Sequence, residues 1–486
     1  MKVKIFPVVF VFFSFFFINS CGDNSVELPE PEGRISITAN TDSFESGRGT
    51  SVAIPMTLKA EEGLQSLTVS IDGQPGENIS TSMGQTSLSH TYTYTIPANA
   101  LLGSSAELEF TATDVIEQSA KTKVVVSTGK LIDSPATYSF TRNGETTVSY
   151  TGQNERLDML EIIKKEILLK GDQGEVISEQ ALLAAFNNAE GNGGGLFLFE
   201  TTKQLGNKTF QPDLDDRLFE NLFASAAQAS EAGSGGQMAS NGIAGLITRE
   251  SKGSTVLIDA NGREFTQLIE KGLMGAVFYH QTFNTYFSDA RTGDDVENTE
   301  LRAGKNYNDM EHHWDEAFGY WNPPIDFSSE WPSDRADEDR FWSHYSNTVD
   351  PHLGTNSIIM QGFIEGRTAI VNNDLDTKNV KRTEVAENLE LVAAAVAVHY
   401  INAAQEALNK GNIGDTFHVL SEVWAFVNAL KYYPNRKISL NAIEEIKEQD
   451  LGAEGNFWNV TPEGLTKAKA TLVTAYPQLA PVQDEL

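Results

Sequence analysis

Cysteine is all but missing from this chain: Cys21 is the only one in 486 residues. No disulfide can close within the chain, and no second thiol is left for nucleophilic chemistry, so stability must come from buried apolar area. Basic residues are scarce too, 36 Lys and Arg against 67 Asp and Glu, for a net charge of −31. That balance excludes nucleic acid as a partner and charge-driven adhesion to anionic lipid. Several catalytic signatures are absent: G-x-S-x-G, a Walker or dinucleotide glycine loop, and H-E-x-x-H. Their absence removes the common routes to a serine hydrolase, a nucleotide enzyme or a zincin. No segment beyond Ile18 approaches the roughly 20 apolar residues of a membrane span.

What the N-terminus does carry is an export address. Lys2 and Lys4 precede an apolar run, Ile5 to Ile18, which ends in Ile18-Asn19-Ser20-Cys21. A positive start, a short apolar stretch and a small residue before the cut form a secretory signal. A branched aliphatic at −3 and a cysteine at +1 resemble the bacterial lipoprotein signal. Residues 1–20 are therefore expected to be the signal peptide and Cys21 the lipid anchor. Residues 21–33, acidic with Pro and Gly, are the expected tether. The expected address is the cell envelope, as an outer-membrane lipoprotein facing the periplasm or the surface. The anchor makes the membrane its first partner. Loss of Lys2 and Lys4 leaves 34 basic against 67 acidic residues.

From Arg34 to Thr128 the apolar pattern has period two, as in Ile35-Ser-Ile-Thr38, Leu67-Thr-Val-Ser-Ile71 and Leu108-Glu-Phe-Thr-Ala112. Turn signals at Asp72-Gly73, Pro75-Gly76 and Leu102-Gly103 divide it into about six or seven short strands. The expectation for 34–128 is a small all-β sandwich resembling immunoglobulin-like surface modules, with a spacer role. From about Tyr138 the period becomes helical, and 129–486 is expected to be a large all-α helical bundle. Arg156 to Lys170 is amphipathic and stops at Gly171. Phe265 to Phe287 carries one inward apolar stripe. Glu384 to Lys410 is long and alanine-rich. Thr255 to Ile258, with Asn261-Gly262, suggests a small hairpin.

Seven of the eight histidines fall between His280 and His418. Asn308 to Trp321 concentrates them on one helix, ended by Pro323-Pro324. At 100° per residue, Met310, Trp314, Ala317, Phe318 and Trp321 share an apolar face, while Asp309, His312 and Glu316 lie opposite with His313 on the flank. Imidazole and carboxylate one turn apart can share a metal ion. The candidate metal ligands are therefore His312, His313 and Glu316, with Asp309, and more weakly His418 and Glu422, which also stand four residues apart. Iron and zinc are the candidate cofactors. A solvated polar face is the alternative for that helix, and satisfied core positions are the alternative for His280 and His399. The acidic stretch Asn322 to Asp339, with Trp331 in it, is expected to be a long loop, either a lid or an acidic insert.

Four stretches resemble the Bacteroidetes-type lipoproteins of the domain of unknown function 4856. They are Glu270-Lys-Gly-Leu-Met-Gly-Ala276, Glu311-His-His-Trp-Asp-Glu-Ala-Phe-Gly-Tyr320, Gly366-Arg367-Thr-Ala-Ile370 and Ser421-Glu422. That resemblance covers Tyr138 onward and implies no activity. His313 and Glu316 also match the H-x-x-E of imelysin-like proteins, although Glu311 stands where those carry Gly. This second resemblance implies iron or haem acquisition, with an outer-membrane uptake receptor as partner. Together these readings favour a lipid-anchored binding protein serving metal, iron or haem uptake. The rivals are a metal-dependent hydrolase and a non-catalytic surface adhesion or scaffold protein. The question of catalysis stays open, with the balance against it.

Overall fold

The computed structural model describes residues 34–486; the signal peptide, Cys21 and the tether lie outside the described residues. Two compact units form. One holds 34–44, 53–94 and 106–126, and the other holds 45–52, 95–105 and 127–486.

The β-rich region contains β1 (Ile35–Ala39), β2 (Ser43–Gly47), β3 (Ser51–Ile71), β4 (Gln74–Ile79), β5 (Gln85–Thr95), β6 (Ser105–Asp114) and β7 (Ser119–Gly129). The expected immunoglobulin-like sandwich does not form. All seven strands join one curled, half-barrel sheet in the order β1-β3-β6-β7-β2, with β4 and β5 also paired to β3. The reason lies in β3, whose 21 residues far exceed the usual strand length. Its first half pairs with β1 through Met56 to Ala60. Its second half pairs with β6 through Leu64 to Ile71 and with β4 through Leu67 to Ile71. One continuous strand thus serves as the backbone of both halves, and no strand is left to build a second layer. Gly63, at φ +99°, and a register shift between Leu64 and Ser66 bend β3 where a sandwich would have broken it. The period-two alternation does its expected work within the sheet: Ile54, Leu58, Leu67, Leu108, Phe110 and Val124 are fully buried on one face.

The second unit is helical, as the periodicity requires. Leu375–Asn409 is its central helix, packed between Thr355–Asn372 and Ile413–Ala429. Against the expectation that nothing beyond Ile18 approaches a span, it is long and apolar enough to cross a membrane, but Val392 to Val398 are wholly buried in the bundle, which makes it a core helix. The segment after Glu264 differs from its expected single stripe. Every residue from Phe265 to Tyr279 is buried, including Glu270 and Lys271. It begins as the α-helix Phe265–Leu273 and widens into π-helical turns at Met274–Tyr279 and Thr282–Tyr286. Thr255–Ile258 does form a hairpin strand, but its partner is Gly245–Thr248 upstream. Asn261 instead closes a turn onto the Asp259 carboxylate.

The helix Asp309–Trp321 has strong local instructions. Asn308 caps it by accepting from the Glu311 amide at 2.8 Å, and Glu311 returns the bond to the Asn308 amide at 3.0 Å. Asn322 ends it in the left-handed region. Met310, Trp314, Ala317, Phe318 and Trp321 are all at most 1% exposed. Burial of each large apolar side chain contributes about 1.5–3 kcal/mol. Close approach is enforced at Gly366, where a Cβ would lie 2.1 Å from Trp314 Cζ2. The helix packs on Thr355–Asn372, on Thr151–Ile163 and on Thr282–Tyr286.

Candidate functional site

Two charged systems share the Asp309–Trp321 helix. The first is buried. Arg367 is 0% exposed and lies 3.0 Å from Asp315 Oδ1 and 3.1 Å from Glu311 Oε1. Its Nε donates to Asp315 and its Nη2 to Thr147. Nη1 faces Glu311 as a bare ion pair without hydrogen-bond alignment. Glu311 also receives both terminal nitrogens of Arg142, at 2.8 and 3.2 Å. Asp315 accepts from the Tyr138 hydroxyl at 2.7 Å and the Ser149 amide at 3.2 Å. The two carboxylates respond in opposite directions. Burial pushes Glu311 up, but Arg367 and Arg142 outweigh it and hold it below the usual carboxylate range. Burial wins at Asp315, which rises to about 6 against the pull of Arg367.

The second system lines a cavity of about 490 Å³. Its walls come from the first turns of Thr151–Ile163, the 203–208 loop, Tyr286 at the end of the π-helical turn, Tyr307, and His312 with Glu316. The Glu316 carboxylate is the hub. It accepts from Gln153 Nε2 at 3.1 Å, Tyr286 Oη at 3.3 Å and His313 Nδ1 at 3.0 Å. Burial pushes it up, but the His313 bond, the neighbouring His312 and the Gln153 bond outweigh it and hold it below the ordinary carboxylate range. Arg291 lies 3.3 Å from His313 Nε2. A guanidinium only donates, so Nε2 accepts and Nδ1–H donates to Glu316. Both ring nitrogens of His313 are thereby used. His312 stacks on Tyr307 with ring centroids 4.6 Å apart, and its Nε2 lies 3.7 Å from Glu316. Burial lowers the His312 pKa against the charge of Glu316, which favours the neutral ring.

Around this hub stand four cations: Arg156, Lys203, Lys208 and Lys305. Among the described residues no carboxylate lies within ion-pair distance, 4.0 Å, of any of them. Burial and the charge of Arg156 push the Lys208 pKa down. The Lys208 carbonyl is pinned by Gln281 Nε2 at 2.9 Å, which fixes the loop. Lys203 lies across Gly152, where a Cβ would meet its Cε at 2.8 Å. The adjoining helix starts without a side-chain cap and without an acid in its first turn, so its N-terminal dipole adds positive potential to that wall.

The residues proposed from sequence divide among three places. His312 and Glu316 line the cavity, and His313 bonds Glu316. Asp309 points elsewhere, paired with Arg302 and 44% exposed. His418 donates from Nδ1 to the buried Glu264 at 2.6 Å, and Glu422 pairs with the buried Lys271 at 3.4 Å. Among the described residues no group of three or more His, Cys, Asp and Glu could hold a metal ion. The acidic stretch after Asn322 is organised by Arg335, which bonds Asp326 and Glu338 and lies 4.0 Å over the Trp331 ring. Sequence reasoning missed the four cations, Gln153, Tyr286 and Tyr307: Lys305 and Tyr307 stand just before the helix, and the others arrive from segments 26 to 159 positions before His312. Lys208 alone carried a local signal, having no acidic residue within four positions in so acidic a chain.

The model of the family described as Domain of unknown function (DUF4856) matches residues 135–477. No curated protein matches the chain. A solved structure titled "Polysaccharide Lyase" aligns at 9% identity over 82% of this chain and 58% of its own. Its TM-score of 0.14 is too low for a shared fold.

Proposed function

The chain belongs to the DUF4856 family, and from that premise we propose that it is a lipid-anchored cell-envelope protein whose helical unit binds a small anion in the cavity beside His312 and Glu316. The observation that carries this reading is the four cations without carboxylate partners around a cavity, in a chain of net charge −31. Lys305 is exposed, but Lys203 and Lys208 are half-buried and Arg156 is buried with Nε and Nη1 donated to the Gln204 and Gly152 carbonyls; cations so placed without a counter-charge are costly, and a bound anion relieves that cost. The signal pattern ending at Cys21 supports the envelope address and the anchor. Role and address together fit a solute-binding accessory to uptake.

The same geometry favours an anion over a bare divalent cation. Glu316 and His313 already spend their ligating atoms on each other and on Gln153, Tyr286 and Arg291. Four positive groups at the walls raise the energy of a further cation. Iron fits this cavity as an anionic chelate. Haem fits poorly, because no aliphatic side chain lines the walls.

The test uses purified residues 22–486 in low-salt buffer, melted with phosphate, sulfate or citrate against chloride at matched ionic strength. A specific anion at about 100 times its Kd adds about 2.7 kcal/mol to stability. The expected result is stabilisation of the parent that disappears in Lys203→Ala/Lys208→Ala. Equal responses of parent and variant to every anion would sink the reading. The anchor is checked separately by labelling with radioactive palmitate, which Cys21→Ser should abolish.

A further inference from the structure

We infer that the ligand is a hydroxylated organic anion of sugar size, a sugar acid or sugar phosphate with one or two negative charges; this rests on the anion-binding reading above. Size is the first argument. The cavity of about 490 Å³ falls in the range of small-molecule sites, roughly 300–1,000 Å³, and far exceeds the need of a single inorganic ion. Polarity is the second. Its walls carry hydroxyl, amide, imidazole, carboxylate and cationic groups, and the only broad apolar surfaces are the rings of Tyr286 and Tyr307. Such walls suit a ligand that is hydrophilic throughout and exclude an acyl chain or a macrocycle.

The third argument decides between a simple anion and a hydroxylated one. A simple anion only accepts hydrogen bonds, so every acceptor on the wall repels it. This wall has acceptors among its cations. Glu155 Oε2 accepts from the Thr201 hydroxyl at 2.6 Å, while its Oε1 has no hydrogen-bond partner among the described residues. The ring of His312 adds a further acceptor. A ligand with hydroxyl groups satisfies those acceptors while its charged group meets Lys203, Lys208 and Arg156 near the helix start. The walls carry four cations and two carboxylates, a surplus of two positive charges, which matches a monoanion or dianion.

Isothermal titration of residues 22–486 tests this with glucuronate, galacturonate, N-acetylneuraminate and glucose 6-phosphate, beside acetate, inorganic phosphate and neutral glucose. At least one sugar anion should bind tenfold or more tighter than acetate, phosphate and glucose. Glu155→Gln should weaken that sugar anion about tenfold, and His312→Phe should do the same. Lys203→Ala/Lys208→Ala should abolish binding of every anion. If phosphate or acetate binds as tightly as every sugar anion, and Glu155→Gln strengthens binding by removing repulsion, the ligand is a simple anion. The present inference then fails while the anion-binding reading stands. If no anion binds the parent, or glucose binds as well as the sugar anions, both fail.

Discussion

Replacement of Arg367 with methionine isolates the energetics of the buried network. Methionine keeps much of the side-chain volume, so the change is chiefly loss of charge and of the stack on the Phe140 ring, 5.0 Å away. Glu311 retains both Arg142 bonds and the Asn308 amide. Asp315 retains only the Tyr138 hydroxyl and the Ser149 amide, so the uncompensated charge sits mainly there. Removal of one partner from a buried ion pair costs about 3–5 kcal/mol, and urea unfolding at pH 7.5 should show a loss of that size. The pH dependence identifies the cause. Asp315 stands at about 6 in the folded protein against an ordinary 3.9 or so. A raised carboxyl contributes full stability below its unfolded value and loses it as pH rises through its folded one. Without Arg367 the folded value climbs further, so the variant loses more than the parent above pH 6. The gap should therefore narrow towards pH 5, where Asp315 is protonated in both proteins. Arg367→Met with Asp315→Asn should recover part of the loss at pH 7.5. A loss under about 1 kcal/mol, or a gap that stays constant between pH 5 and 8, would refute the assignment of the cost to Asp315.

Two further groups set the pH response of the fold. Burial pushes His280 down to about 4 against the pull of Asp213, so the unfolded chain takes the proton first and stability falls from about pH 6.5 to pH 4, by up to about 3 kcal/mol. His280→Gln should flatten that acid limb in melting curves, and an unchanged slope would assign the acid sensitivity elsewhere. Burial and the charge of Glu264 raise Asp172, so its cost appears as pH rises through the folded value. Asp172→Asn should add on the order of 1–3 kcal/mol at pH 8 and nothing below pH 4, and a loss at pH 8 would mean that its bonds from the Leu257 amide and Thr266 outweigh its charge.

The legible parts of this molecule are those decided within a few residues of themselves. The helix at Asp309, its apolar face and its stop at Asn322 follow from spacing and capping. So does the alternation that buries one face of the sheet. The sandwich expectation failed because strand pairing is non-local. Nothing near Gly63 states that β3 continues through it, and only its partner strands β1, β4, β5 and β6 make it do so. The histidine and glutamate pair was legible as a pair of neighbours. Its environment was not, since Arg291, Gln153 and Tyr286 arrive from other segments and turn apparent ligands into a closed hydrogen-bond set. Glu311 and Asp315 were passed over for the same reason. On a helical wheel they are two more acids, and only Arg142 and Arg367, 169 and 52 positions away, make them interior residues.

Those two acids also explain how the cavity keeps its shape. Glu311 and Asp315 are one turn apart, as are His312 and Glu316, and each pair is offset from the other by a single residue, or about 100° of helix. With Arg367 holding the first pair on the buried side, the second is turned towards Thr151–Ile163 and Tyr286. The Ser149 amide joins the two systems, because it donates to Asp315 while Ser149 itself lines the cavity. A rotation of the helix that brought His312 into solvent would strip Asp315 and Glu311 of Arg367, at the several kcal/mol that a broken buried ion pair costs. The buried network is therefore the clamp that fixes which side of the helix faces the cavity. The hydrogen bonds on Glu316 then fix that carboxylate in the wall beside His312.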